Sequence, residues 1–242
     1  MKKLFLALLM AVGFASAHAQ AQVTGNLGLT SDYRFRGISQ SQNAPAVQGG
    51  VDYAHSSGLY VGNWNSSVSS DVYTNGSGVE SDLYAGFKKD IYNGLTIDVG
   101  SYNYFYPRAT NGTSTNFDTN ELFVGLGYGP VSVKYSQSLS NYFGTANSKN
   151  SQYFQADVAQ PLPYISKNLS LLAHAGRTEV NNNSSLNYTD YNVGLGYDLQ
   201  GWQMAVKYYT NTGTTSTFQT ANTVNSQQLY KDATVFSVSK SF

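Results

Sequence analysis

Between residues 23 and 37 the chain reads VTGNLGLTSDYRFRG, and its side chains divide into two sets by parity. The odd positions are Val23, Gly25, Leu27, Leu29, Ser31, Tyr33 and Phe35; the even ones are Thr24, Asn26, Gly28, Thr30, Asp32, Arg34 and Arg36. A β-strand sends successive side chains to opposite faces, so one face here is mostly apolar and the other polar or small. Strands of soluble proteins average about 5–6 residues, whereas a strand crossing a bilayer needs about 9–11. A pattern sustained from 23 to 35 belongs to the second kind.

The alternation recurs along the chain. It predicts twelve strands, at 23–35, 45–54, 58–68, 78–87, 95–106, 120–128, 131–140, 151–159, 168–177, 188–198, 202–209 and 232–242. The expected fold is all-β, a transmembrane antiparallel up-and-down β-barrel. Its connections alternate in length, which fits short turns at one end and long polar loops at the other. The long ones are 37–44, 69–77, 107–119, 141–150, 178–187 and 210–231; the shorter ones are 55–57, 88–94, 129–130, 160–167 and 199–201.

Charge placement gives an independent check. Asp32, Arg34, Arg36, Asp52, Glu80, Asp82, Asp98, Glu121, Lys134, Asp157 and Lys207 all fall opposite the apolar residues of their strands. A charge facing lipid at mid-bilayer costs about 2–4 kcal/mol, so a barrel must segregate its charges in this way. These eleven residues are the candidate pore lining. Lys240 alone shares a face with Phe236, Val238 and Phe242, near the chain end, where a long side chain can reach the interface.

The first residues have a different character. Lys2 and Lys3 precede an apolar run at 4–15, followed by the small-x-small triplets Ala17-His18-Ala19 and Ala19-Gln20-Ala21. This predicts a cleaved signal peptide at 1–19, with a cut after 21 as the alternative, and a barrel domain at 20–242. No later segment approaches the run of about 18 apolar residues that a spanning helix requires. Losing Lys2 and Lys3 takes the balance from 14 basic and 14 acidic groups to 12 and 14, a charge of about −2. That excludes a nucleic-acid binder of the basic-patch type. Cysteine is absent, and a closed barrel needs no disulfides because closure pairs every strand edge.

The lining bears on function. Many inward positions are small: Gly28, Gly50, Gly86, Gly100, Gly125, Gly127, Gly194, Gly196, Ser132, Ser136 and Ala205. Bulky ones, chiefly Tyr84, Tyr102, Tyr104, Tyr153 and Tyr209, are a minority, so a narrow hydrated lumen is expected. Arg34 and Arg36 admit two readings: a transverse field across a constriction, or charges that pair and stabilise the barrel. Tyr33 and Phe35 read as part of an outer aromatic girdle. The leader-free chain has two histidines, His55 in a turn and His174 on an inward face, and neither has a nucleophile or acid at a telling spacing. No catalytic residue, metal cluster or cofactor motif is identified.

The stretches VTGNLGLTSDYRFRGISQS at 23–41, PAVQGGVDYAHSSGLYVGNW at 45–64 and SDLYAGF at 81–87 resemble the TorF (Gcw_chp) family of bacterial outer-membrane porins. Beyond about residue 100 the similarity is one of pattern and of the closing Phe242. The resemblance implies an outer-membrane barrel with a channel role, and brings no substrate or catalytic residue. Phe242 at the end of an alternating strand is expected to act as the membrane-insertion signal read by the barrel assembly machinery.

The expected function is a porin-like channel in the outer membrane of a Gram-negative bacterium, passing small polar or ionic solutes passively. Its expected partners are outer-membrane lipids, the assembly machinery and those solutes. The alternatives are a non-conducting barrel with a structural or adhesive role, its polar loops such as 181–185 contacting a partner, and an outer-membrane lipid hydrolase.

Overall fold

The structure, a computed structural model, describes residues 21–111 and 116–242. The expected leader at 1–19 lies outside the described residues. Twelve antiparallel strands close into one barrel. They are β1 Gln22–Thr30, β2 Ala46–Ala54, β3 Leu59–Ser67, β4 Val79–Tyr92, β5 Leu95–Phe105, β6 Thr119–Tyr128, β7 Val131–Ser138, β8 Gln152–Pro161, β9 Leu169–Glu179, β10 Tyr188–Leu199, β11 Trp202–Asn211 and β12 Ala233–Ser241. Each pairs with its sequence neighbours. β1 closes the ring against β12, with Thr30 opposite Ser237 and Asn26 opposite Ser241.

The turns at one end are short for reasons visible in the sequence. Asn93 and Gly94 both have positive φ, 44° and 85°, as do Gln200 and Gly201, 55° and 87°. This is the pattern of the type I′ hairpin, whose twist matches that of its strands. Gly129, at φ 58° before Pro130, suits the first central position of a type II′ turn. At the opposite end the loops are long. The longest connection, 212–232, carries a helix, α1 Ser216–Ala221, whose first turn is capped by the Thr215 hydroxyl accepting from the Phe218 N–H.

Parity sorts the side chains as the alternation requires. Val23, Leu27 and Leu29 of β1 and Tyr191, Val193 and Leu195 of β10 stand exposed on the outer wall, as they must where lipid replaces water. Leu59 and Val61 point outward too, which settles the phase of the third strand and turns Tyr60, Gly62 and Trp64 inward. Tyr53, Tyr92, Tyr128, Tyr197 and Trp202 gather around the short-turn end of the outer wall, and Phe105, Phe154, Tyr191 and Tyr208 around the long-loop end. Both sets suit interfacial girdles. Lys240 lies outward with its Nζ 5.1 Å from the centroid of the Trp202 ring.

Two boundaries differ from expectation by more than two residues. β4 continues past Phe87 to Tyr92 and turns on Asn93-Gly94, with a bulge between Asp90 and Tyr92. The first strand stops at Thr30 instead of reaching Phe35, because from Asp32 onward the chain bends into the mouth of the barrel. Tyr33 and Phe35 therefore do not belong to the outer girdle. Tyr33 is buried against Trp64, and Phe35 packs against Tyr104 and Phe143.

Candidate functional site: the barrel interior

The strands deliver Asp52, Glu80, Asp82, Asp98, Glu121, Lys134, Asp157 and Lys207 to the interior face, each from the parity opposite its lipid-facing neighbours. Asp32, Arg34 and Arg36 are also inside, but by another route. Residues 31–45 form a loop that enters the mouth and carries a two-rung ribbon, Arg34–Phe35 against Ile38–Ser39.

Asp32 anchors the base of this loop. Its carboxylate accepts from the Ser39 and Ser41 hydroxyls at 2.6 and 3.2 Å and from Arg34 Nε at 2.6 Å. Arg34 also donates to the carbonyls of Gly37 and Lys231 and to the Asn43 side chain, which ties the loop to the last long connection. Arg36 and Gly37 form the tip, at φ 47° and 77°. Glycine is required at 37 on two counts: a Cβ there would sit in left-handed backbone and 2.7 Å from Cβ of Asp190 on β10.

The tip reaches across the barrel. Arg36 Nη2 lies 2.7 Å from Glu121 Oε2 on β6, both side chains being about 95% or more buried. Arg36 Nη1 donates to the Tyr142 hydroxyl at 3.2 Å, and the guanidinium carbon lies 4.1 Å from the Tyr153 ring centroid. The Tyr188 hydroxyl donates to the Arg36 carbonyl at 2.9 Å. Burial disfavours the Arg36 charge, but Glu121 beside it and the surrounding phenols hold its pKa well above the ordinary arginine value, so it stays charged. Of the two readings of the arginines, the geometry matches pairing: Arg36 with Glu121 across the lumen, Arg34 with Asp32 within the loop.

Aromatic rings fill the interior around this loop. Tyr73 stacks on Tyr106 at 4.1 Å and Tyr84 on Tyr102 at 4.9 Å, while Phe35 meets Tyr104 and Phe143 edge-on at 5.4 Å each. The expectation of a hydrated lumen along the whole axis is thus corrected at the long-loop end, which is packed. The small inward residues do not all leave space, because neighbouring tyrosines lie over them. A Cβ on Gly86 would meet the Tyr60 hydroxyl at 2.5 Å, one on Gly62 the Tyr84 ring at 2.4 Å, and one on Gly176 the Tyr153 hydroxyl at 2.0 Å.

Towards the short turns the interior is polar. Tyr60 donates to Asp98 at 2.7 Å and Tyr84 to Asp52 at 2.5 Å. Asp98, Lys134, Gln155 and Asp157 border a cavity of about 10 Å³, room for about one water. Between this region and the plug lies His174, with Nδ1 2.6 Å from Asp157 and Nε2 3.0 Å from both Asp190 and the Tyr153 hydroxyl. His174 thus bridges two acids and a phenol, and its side-chain partners among the described residues include no serine. His55 bonds Ser57 within its own turn.

Sequence reasoning passed over three interior residues. Asp190 lay on the inward parity of β10 but was not singled out, Lys88 was assigned to a turn, and Phe123 faces inward beneath Lys134 at 5.5 Å. Asp190 and Phe123 were legible from parity alone.

A closed antiparallel ring of twelve strands, apolar outside and charged within, defines the class: a porin-type β-barrel. The chain matches the family model described as bacterial protein of unknown function (Gcw_chp) over residues 14–242, and it belongs to that family. No curated protein matches it. Among solved structures it is similar to one titled KdgM porin, with TM-score 0.55, 8% identity, and 90% of this chain and 98% of the other covered. It is similar also to NanC porin, with TM-score 0.54, 10% identity, and 91% and 99% covered. At such identities the likeness establishes the fold. LpxR from Salmonella typhimurium aligns less well, with TM-score 0.43, 11% identity, and 90% and 99% covered.

Proposed function

We propose that this protein is an outer-membrane channel for passive diffusion of small polar or ionic solutes. Its short turns face the periplasm and its long loops the exterior of a Gram-negative cell, and export follows the leader at 1–19. The observation that carries the reading is the interior of the periplasmic half. There Asp98, Lys134 and Asp157 border one small cavity, and Asp52 and Lys207 lie on the same inward parity of a barrel whose outer wall is apolar. A barrel built only to be packed has no need of so many inward charges, each of which must be desolvated or paired. Those residues, with Glu80, Asp82 and Glu121, are the proposed lining; Asp32, Arg34 and Arg36 belong to the loop that closes the mouth. Conduction then requires residues 31–45 to swing outward.

Phe242 fits the role of an insertion signal. It is exposed, and its backbone exchanges hydrogen bonds of 2.8 and 3.0 Å with Gly25, which completes closure of the barrel. The packing at the long-loop end favours a second reading, a non-conducting structural barrel. An adhesive role for the 181–185 run is less favoured, because Asn181, Asn182 and Asn183 donate to the carbonyls of Lys149, Asn147 and Ala146 on the neighbouring loop. Single-channel recording of the refolded protein in a planar bilayer separates the two readings. Discrete steps are expected; well-folded protein that gives none would favour the structural barrel.

A further inference from the structure

The Arg36 guanidinium sits in a cage whose walls belong to other parts of the chain. Glu121 Oε2 on β6 accepts from Nη2 at 2.7 Å, and the Tyr142 hydroxyl accepts from Nη1 at 3.2 Å. The guanidinium carbon lies 4.1, 5.6 and 6.0 Å from the ring centroids of Tyr153, Tyr142 and Phe143, within reach of cation–π attraction. Tyr142 and Phe143 come from the loop after β7, and Tyr153 from β8. Swinging residues 31–45 outward therefore leaves the cage in place and takes away its cation.

The same movement unbalances the outer half of the lumen. Glu80, Asp82, Glu121 and Asp190 point inward close to the long-loop ends of their strands, and Asp82 is within electrostatic reach of both Glu80 and Glu121. The loop supplies the arginines at this level. The interior lysines stand deeper: Lys88 six residues beyond Asp82 on β4, Lys134 opposite Gly125, four beyond Glu121, and Lys207 opposite Gly194, four beyond Asp190. Lys134 feels Glu121, but Asp157 and Asp98 as well.

We infer that this cage is a subsite for a small organic cation with a guanidinium head, and that Arg36 fills it in the closed state as a tethered competitor of the solute. The inference rests on the channel reading and narrows its solutes. A buried carboxylate left without a partner is costly, so the group that replaces Arg36 carries positive charge. One carboxylate, one phenol and three aromatic rings suit a planar, weakly hydrated guanidinium; a hard metal ion takes a shell of oxygen ligands instead.

The test uses methylguanidinium chloride as the probe, with methylurea, of similar shape and no charge, as its control. In wild-type protein inserted in vesicles, methylguanidinium should compete with Arg36 and speed protease cutting within 31–45, about elevenfold at ten times its Kd; methylurea should not. In bilayers Arg36→Ala should prefer cations in a KCl gradient, and methylguanidinium should interrupt its potassium current. Adding Glu121→Gln should weaken that interruption about 10- to 100-fold, the loss of one hydrogen bond to a charged group. The wild-type arm keeps the inference testable if Arg36→Ala does not fold. Wild-type cutting that ignores methylguanidinium would overturn the inference. So would an Arg36→Ala channel that is anion-selective or treats the two probes alike, and in either case the channel reading would stand. Folded wild type and variant that never conduct would overturn the channel reading and the solute role together.

Discussion

Replacing Arg36 with Ala removes a side chain that bridges the mouth of the barrel. Its guanidinium holds Glu121 at 2.7 Å with both groups buried, and it covers the Tyr153 ring. Taking one partner from a buried ion pair costs about 3–5 kcal/mol, because the other charge is left unpaired. The cation–π contact adds up to about 2 kcal/mol. These contacts exist only while the loop is folded inward, so the loss falls on the closed state. At the lower figure of about 3 kcal/mol the closed-to-open ratio falls roughly a hundredfold. Bilayer recording should show longer open times and larger mean conductance in Arg36→Ala than in wild type, and proteases should cut within 31–45 more readily. The double variant Arg36→Ala with Glu121→Ala should lose less stability than the sum of the singles, by about 0.5–3 kcal/mol. If Arg36→Ala matches wild type in conductance, protease sensitivity and melting, the pair does not hold the loop and the reasoning fails.

Three further outcomes follow from the same contacts. Gly37→Val should free the loop tip as Arg36→Ala does, since it combines positive φ with a clash at Asp190; proteolysis of intact, inserted protein reads this directly. Gly176→Ala should displace the Tyr153 ring and cost about 1–3 kcal/mol in urea unfolding, whereas alanine at Gly125, where the nearest atom to the added carbon is 3.4 Å away, should cost less. Val193→Arg on the outer wall should lose about 2–4 kcal/mol, and the same substitution at the inward neighbour Asn192 should lose less, compared by unfolding in lipid vesicles.

The barrel was legible because its cause is local. Lipid outside and water or polar groups within impose period two on every strand, and Val23 through Thr30 display it with no reference to distant residues. Asn93-Gly94 likewise announces its turn. What escaped the sequence depends on residues far apart in the chain. Tyr33 and Phe35 continue the odd-parity apolar set, so nothing local ends the strand at Thr30. The bend is held by Arg36 with Glu121, 85 positions away, and by Tyr188, 152 positions away. The small lining residues misled for the same reason. Gly86 reads as open space in one dimension, but Tyr60 on the adjacent strand occupies that space. Glu80 and Asp82 were recognisable as inward charges, while the phenols that meet them, Tyr33 and Tyr106 at Glu80 and Tyr102 at Asp82, arrive from other segments of the chain.

The native chain has no cysteine, so single cysteines can be placed along β10 at 191–197 and tagged with a fluorophore quenched by lipid-borne nitroxide. If lipid lies against one parity and the charged interior against the other, positions 191, 193, 195 and 197 will be quenched strongly and 192, 194 and 196 weakly. Quenching that varies smoothly along the strand, or follows the opposite parity, would contradict the barrel as described.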